Sequence, residues 1–490
     1  MSKQTQQVEV LVVGAGISGI DAAYHLKTQL PNKTFVVLDA LENFGGTWRT
    51  HQYPGVRSDT DLFTFGYSFK PWKGDPIATG ERILEYLGEV ITDFDLAPHI
   101  RYNEKITTAV WSSNDATWTV TSKNQLTGEE SVIRANFLWM GQGYYKHENG
   151  YTPEWPGFAD FAGTVIHPQK WPAGFDVSGK DVLVIGSGAT ASTLIPALAD
   201  QAAHVTMLQR SPTYFYAGEN KDALADQLRA LEVNDEWIHE IVRRNKLNEL
   251  KMLTDFAIAF PDVAKEELLK LVAAQLPEGF DVERHFTPKY RPWQQRLAFV
   301  PDGDLFKAFS SGKASVVTDE IECFTSSGVR TKGGEEIHAD VIITATGFEL
   351  SILGDIDFTI DEKPLDLSKS ITFRGMMFTD VPNLVWVFGY FRAAWTLRAD
   401  LISAYVCRVL RYMDEHNLRI VVPQLRPEDQ NDEVKDWITP DEFNPSYLVR
   451  SMSKMPKRLD KPEWRHTQDY WLEKDLFPSL DVAEECLHYE

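Results

Sequence analysis

Cysteine is scarce in this chain. Only Cys323, Cys407 and Cys486 occur among 490 residues, far apart from one another. With no C-x-x-C pair, neither a redox disulfide nor a thiolate metal cluster is expected, and no metal is assigned. Isolated thiols read as small buried hydrophobes in a reducing compartment, so a cytoplasmic location is expected. Long apolar runs are missing as well. No stretch of roughly 18 apolar residues exists, so no transmembrane segment is expected. The N-terminus, MSKQTQQVEV, lacks the apolar centre of a secretory signal. Basic residues are outnumbered, 49 Lys and Arg against 71 Asp and Glu, for a formal net charge of −22. No basic block offsets that charge, so nucleic acid is not an expected partner. Glycine is absent between Gly218 and Gly279. That stretch is charge-laced and reads as helical from about residue 217 to residue 276.

What is present is a large apolar fraction, 43 %, and 12 % aromatics that include 14 Trp. These serve a large core, an aromatic-lined site, or both. The length suffices for two or three domains. Val8 to Val13 is a short apolar run of the kind a buried parallel strand shows, followed at once by glycines and a helical stretch to Leu26. Phe35 to Leu38 is a second buried strand. Residues 107–138 alternate like a hairpin and lead into an apolar strand at Ala135–Met140. The pattern then restarts, with a strand at Asp181–Ile185, glycines, a helix to about Leu198, and a strand at His204–Leu208. Strand signals return at Ala314–Val317, Gly328–Thr331, Val341–Thr346 and Asn383–Phe388, and a strong helix at Leu397–Glu415. The tail beyond Pro423 is polar and Pro-punctuated and reads as irregular and surface-bound. No tandem repeat is visible. The expected fold is α/β, with two Rossmann-like dinucleotide-binding domains and a helical insertion in the second. The expected division is 1–145 with 345–490, 146–215 with 297–344, and the insertion at 216–296.

Gly14-Ala15-Gly16-Ile17-Ser18-Gly19 is G-x-G-x-x-G between a strand and a helix. Gly14 permits the turn, Gly16 lets the backbone approach a pyrophosphate, and Gly19 lets helix and strand pack closely. A pyrophosphate would meet free N–H groups at the helix N-terminus. Asp39, ending the next strand, is where an acid accepts from ribose hydroxyls. Gly45-Gly46-Thr47-Trp48 follows, suited to a loop pressed on a large cofactor, or to a plain turn.

Gly186-Ser187-Gly188-Ala189-Thr190-Ala191 repeats the geometry with Ala in third place. At the end of the following strand stands Arg210 instead of an acid, with Ser211 beside it. An acid there would repel a 2′-phosphate, whereas a guanidinium grips one with paired hydrogen bonds. NADP is therefore read over NAD, with a solvent-facing arginine as the plain alternative. Two dinucleotide sites imply hydride transfer from NADPH to FAD. A disulfide reductase would need a vicinal cysteine pair, so oxygen activation remains.

The segment Phe161-x-Gly163-x-x-x-His167-x-x-x-Trp171-Pro172 lies just before the second glycine motif. It resembles the fingerprint of the Baeyer–Villiger monooxygenases, the class B flavoprotein relatives of flavin-containing monooxygenases. Tyr53-Pro54-Gly55-Val56-Arg57-Ser58-Asp59, Ala345-Thr346-Gly347-Phe348 and Pro382-Asn383-Leu384 extend the resemblance over nearly the whole chain. Segments 211–215, 292–297 and 393–401 look most like the short actinobacterial subgroup containing the ethionamide-activating monooxygenase. In that family NADPH reduces FAD, O2 adds to give a C4a-peroxyflavin, and a ketone becomes an ester or lactone. Sulfides and thioamides are oxygenated by the same species.

The resemblance implies that Arg296 is the active-site cation, fixed where negative charge develops. It implies that Asp59 orients Arg296, that His167 couples cofactor binding to domain position, and that Trp395 and Phe391 line the substrate pocket or belong to the core. Many relatives carry Lys immediately before this arginine. Here Gln295 stands instead, which leaves Arg210 more solely responsible for NADP preference. Two other readings stay open. One is an N- or S-oxygenase without ketone activity, against which Trp171-Pro172 argues. The other is a non-catalytic flavoprotein that senses NADPH.

Overall fold

Val10, Leu11 and Val12 have no exposed surface, and the strand that carries them, Gln6–Val13, is central to the first sheet of the computed structural model, which describes residues 6–490. A strand buried on both faces needs cover above and below, which parallel pairing with crossover helices supplies. Gln6–Val13 pairs in parallel with Phe35–Leu38 on one side and Glu130–Met140 on the other. Glu130–Met140 also runs antiparallel to Thr117–Asn124, which pairs with Glu104–Ser112. Asp357–Ile360 and Leu384–Trp386 join from late in the chain to complete a nine-stranded sheet. The helices Ile17–Gln29 and Trp395–Glu415 pack together on one face, through residues such as Ile20, Ala23, Leu26, Ala399, Ile402 and Val406.

The second sheet has five strands, all parallel, in the order Ala314–Thr318, His204–Gln209, Asp181–Ile185, Val341–Thr344, Thr164–Ile166. Helices Ala189–Ala199 and Asp304–Ser310 cover one face. A three-stranded antiparallel sheet, Ile321–Thr325, Gly328–Thr331 and Glu336–His338, covers the other through Phe324, Val329 and Ile337. The molecule thus has an α/β fold with two Rossmann-like halves. The chain passes between the sheets after Met140 and again after Thr344. The two crossings, Tyr145–Gly150 and Phe348–Leu350, pair with each other as an antiparallel ribbon.

Between Phe215–Gly218 and Ala298–Pro301, which pair in parallel, lie the helices Ala223–Ala230, Asp235–Ala259 and Pro261–Ala273. Local chemistry starts each one. The Asp222 carboxylate accepts the Ala225 N–H at 2.8 Å and the Asn234 side chain accepts the Trp237 N–H at 2.9 Å. Pro261 opens the third, where a missing N–H costs nothing. These helices straddle the two halves. Ile238 and Val242 join the first core, and Arg243 donates to the carbonyls of Phe63, Thr64 and Gly66, whereas Val272 joins the second core.

The tail after Pro423 corrects the expectation of an irregular surface segment. It forms helices Ser446–Ser451 and Tyr470–Leu476 and a strand, Leu487–Tyr489, paired with Val421–Pro423. Trp437 and Trp464 within it are fully buried. Short elements interrupted by prolines carry no period long enough to read, although Trp437 and Trp464 among them are core rings. Glu473 of this tail forms a buried ion pair with Arg398 at 2.8 Å, and accepts from the Tyr390 and Thr467 hydroxyls as well. Among the described residues no helix is long and apolar enough to cross a membrane.

Candidate functional site

A cleft of about 1340 Å³ runs between the two halves and receives both glycine loops. The first loop is built on close backbone approach. Gly14 has φ +94°, a conformation that disfavours a side chain, and a Cβ on Gly19 would lie 1.7 Å from the Gly14 carbonyl oxygen. The helices that follow Gly16 and Gly188 have no side-chain cap, so first-turn N–H groups are left for a bound anion. A Cβ on Gly16 would come within 3.5 Å of Gly46, so the two glycine loops of the first half face each other across the cleft floor. Thr47 and Trp48 continue that wall. A Cβ on Gly188 would meet nothing within 4 Å, which leaves room for a phosphate. These bare backbone surfaces fit two dinucleotides.

Asp39 lines the cleft, but its carboxylate already works for the loop. Oδ2 accepts the Ala15 N–H at 2.5 Å and Oδ1 accepts the Leu41 N–H at 2.8 Å. Burial raises its pKa, partly offset by these two bonds. Ribose recognition would use the lone pairs that remain. In the second half Thr190, Arg210 and Ser211 line the same cleft, with Arg210 exposed.

Arg296 and Asp59 meet here, Nη1 to Oδ2 at 3.5 Å. Asp59 reaches the cleft on a segment wedged between the halves. A Cβ on Gly55 would lie 2.4 Å from the Thr193 carbonyl oxygen, and Arg57 makes a bidentate pair with Asp304 at 2.5 and 3.0 Å. Desolvation at the cleft wall pulls the Arg296 pKa down, but Asp59 and the hydroxyls of Tyr144, Tyr447 and Tyr145 push it up further. The cation therefore keeps its proton. Tyr144 donates to Tyr145 at 2.7 Å, and Trp395 stacks on Tyr144 with centroids 5.2 Å apart. The Trp395 indole N–H donates to the Ser18 hydroxyl at 2.7 Å, tying the site to the first glycine loop. Phe391 stacks on Phe443 in the core and does not line the cleft.

The fingerprint residues lie behind the cleft, not in it. Phe161 is buried under the three-stranded sheet, and a Cβ on Gly163 would lie 2.4 Å from the Asp340 carbonyl oxygen. Trp171 packs on the second core edge-to-face with Phe175, and the Pro172 carbonyl accepts the Phe175 N–H. His167 sits on the crossing ribbon. Its Nδ1 accepts the Gln169 N–H at 3.2 Å, so the neutral ring carries its proton on Nε2 and donates to the Gly347 carbonyl at 3.3 Å. Burial lowers the His167 pKa, which favours that neutral form.

Tyr144, Tyr145, Tyr447 and Arg450 line the cleft but escaped the sequence reading. The first two directly follow the strand Glu130–Met140 and Gly141-x-Gly143, at the carboxyl end where α/β sheets bind ligands, which was a usable signal. Tyr447 and Arg450 arrive on the tail and carried none.

The flavin-binding monooxygenase-like family model matches residues 7–372. Similar proteins include the FAD-containing monooxygenase EthA of Mycolicibacterium smegmatis, 43 % identical over 99 % of this chain and 97 % of its own. The putative FAD-containing monooxygenase MymA of Mycobacterium tuberculosis is 40 % identical over 99 % and 98 %. Among solved structures, an oxidized steroid monooxygenase bound to NADP superposes with a TM-score of 0.76 at 22 % identity, covering 99 % of both chains. An open cyclohexanone monooxygenase gives 0.77 at 20 %, covering 99 % of this chain and 100 % of that one. With the family model spanning most of the chain and relatives of this identity aligned end to end, the chain belongs to the flavin-binding monooxygenase-like family.

Proposed function

We propose that this protein is an NADPH- and O2-dependent Baeyer–Villiger monooxygenase that converts ketones to esters or lactones and also oxygenates sulfides or thioamides. FAD and NADPH are its cofactors. FAD belongs against Gly14, Gly16, Gly46, Thr47 and Trp48, and NADPH against Gly186, Gly188, Thr190, Arg210 and Ser211. Bound FAD supplies the oxygen activation. The observation that carries the reading is the permanently charged Arg296, held by Asp59 in the cleft that both glycine loops line. A fixed cation stabilises an oxyanion as it forms, without reorganisation at the moment of reaction. His167, at the ribbon between the halves, links their relative position to what the cleft holds.

The test is NADPH consumption by FAD-loaded protein with linear, cyclic and aromatic ketones and with an aryl sulfide, each with product identification. Esters or lactones are expected alongside sulfoxide. Sulfoxide without any ester would replace the ketone reading with an S-oxygenase. Hydrogen peroxide alone with every substrate would point to a flavoprotein without an oxygenase role.

A further inference from the structure

We propose that Arg450, on the tail helix Ser446–Ser451, is a second cation for the 2′-phosphate of NADPH, acting with Arg210 from the opposite half. The inference rests on the reading of the second crevice as an NADPH site and deepens it. Arg450 and Arg210 line one cleft although they come from different parts of the fold. Arg450 is held in place by contacts that leave its charge unneutralised. Its guanidinium carbon lies 3.5 Å from the centroid of the Tyr151 ring, and Nη2 donates to the Phe348 carbonyl at 3.1 Å. A guanidinium stacked face-on keeps an edge free for an anion.

Neither arginine makes an ion pair among the described residues. Glu320 pairs with Lys332 at 2.6 Å, and Glu349, whose field reaches Arg450 without an ion pair, lies 3.9 Å from Lys146, which is as close to Asp355. Burial lowers the Arg450 pKa; Tyr151 and Glu349 act in the opposite direction, and the field of Arg210 adds a smaller lowering. Two cations that disfavour each other's charge in one cleft are relieved by an anion between them. Gln295, a neutral amide, adds no charge there, and its Nε2 is used in donating to Asn444 Oδ1 at 3.0 Å. A phosphate monoester carries enough negative charge for two guanidiniums and accepts paired hydrogen bonds from each. NAD lacks that group, so Arg450 would bear on the choice of coenzyme and would draw the tail toward the second half only when the phosphate is present.

The experiment is equilibrium titration of FAD-loaded protein with NADP+, NAD+ and 2′,5′-ADP, for wild type, Arg450→Ala, Arg450→Lys, Arg210→Ala and the double variant. Flavin content in each variant reports an intact fold. Arg450→Ala is expected to weaken NADP+ and 2′,5′-ADP by about tenfold or more, and NAD+ by less than about twofold. Arg450→Lys should recover part of the loss. Equal weakening of NADP+ and NAD+ would reduce Arg450 to a prop for Tyr151 and Phe348 and overturn the proposal, as would no change. If Arg210→Ala also fails to separate the two coenzymes, the NADPH reading of the crevice falls, and this proposal with it. Discrimination lost in Arg210→Ala alone would overturn only the role of Arg450.

Discussion

The Arg296 guanidinium lies 3.5 Å from the Asp59 carboxylate, and both are carried by segments that pack on the second core, through Tyr53 and Val56 before Asp59 and through Ala298 and Val300 after Arg296. Arg296→Ala should leave flavin reduction by NADPH intact and lower product formation by about 100-fold or more, with hydrogen peroxide made instead. Asp59→Ala should cost less, because it removes the orienting group and leaves the cation. Anaerobic reduction followed by product analysis separates the two steps, and ester formed by Arg296→Ala at the wild-type rate would refute the assignment.

Gly150 lies under the His167 ring, where a Cβ would come 1.9 Å from Cε1. Gly150→Ala should lower stability by about 1–3 kcal/mol through overpacking at the ribbon. In the double variant with His167→Ala most of that loss should return. A double-mutant cycle on thermal midpoints measures it, and additive losses would mean that the two residues do not bear on each other.

Arg398 and Glu473 form a buried ion pair at 2.8 Å, with Arg398 also donating to the Phe388 and Arg374 carbonyls. Removing one partner leaves the other charge uncompensated. Glu473→Ala should destabilise by about 3–5 kcal/mol in urea unfolding. Burial pushes the Glu473 pKa up, but Arg398, together with the Tyr390 and Thr467 hydroxyls, more than offsets this, and the folded value lies below the ordinary one. Its contribution is therefore present above the ordinary glutamate range and fades as pH falls through the folded value.

His239 anchors the long helix Asp235–Ala259 by accepting the Trp72 N–H on Nδ1 at 3.1 Å. Burial and Arg243 push its pKa down to about 4. The unfolded chain binds a proton near the ordinary value while the folded protein does not, so stability falls with acidification between the two. From pH 7 to pH 5 this amounts to about 2 kcal/mol. In His239→Asn, whose Oδ1 keeps the acceptor without titrating, the thermal midpoint should depend less on pH over that range. An unchanged slope would rule His239 out as the source.

The glycine loops were readable because their demands are local. A strand end, a turn that rejects Cβ and a helix start within a few residues of each other, so Gly14, Gly16, Gly19, Gly186 and Gly188 announce themselves. Asp39 was readable as an acid at a strand end but not as the clasp of its own loop, since the Ala15 N–H that it binds belongs to the preceding strand–turn unit. Tyr447 and Arg450 lie on the other side of the difference. Nothing near them in sequence says that a short Pro-started helix will close over a cleft built from residues hundreds of positions earlier. The tail was misread for the same reason, because a buried tryptophan such as Trp437 shows no period.

The strand Leu384–Trp386 pairs with residues 138–140 of Glu130–Met140, whereas the last strand of the second sheet, Val341–Thr344, comes earlier in the chain. During synthesis every strand of the inserted half has emerged before the outer half can finish its own sheet. One edge at residues 138–140 stays unpaired through all of that interval. Long-range closure of this kind is slow, and an open strand edge invites pairing with other chains. The half that carries the first glycine loop is therefore the last to be completed on the ribosome, and its edge at 138–140 is where a stalled or truncated chain would begin to aggregate.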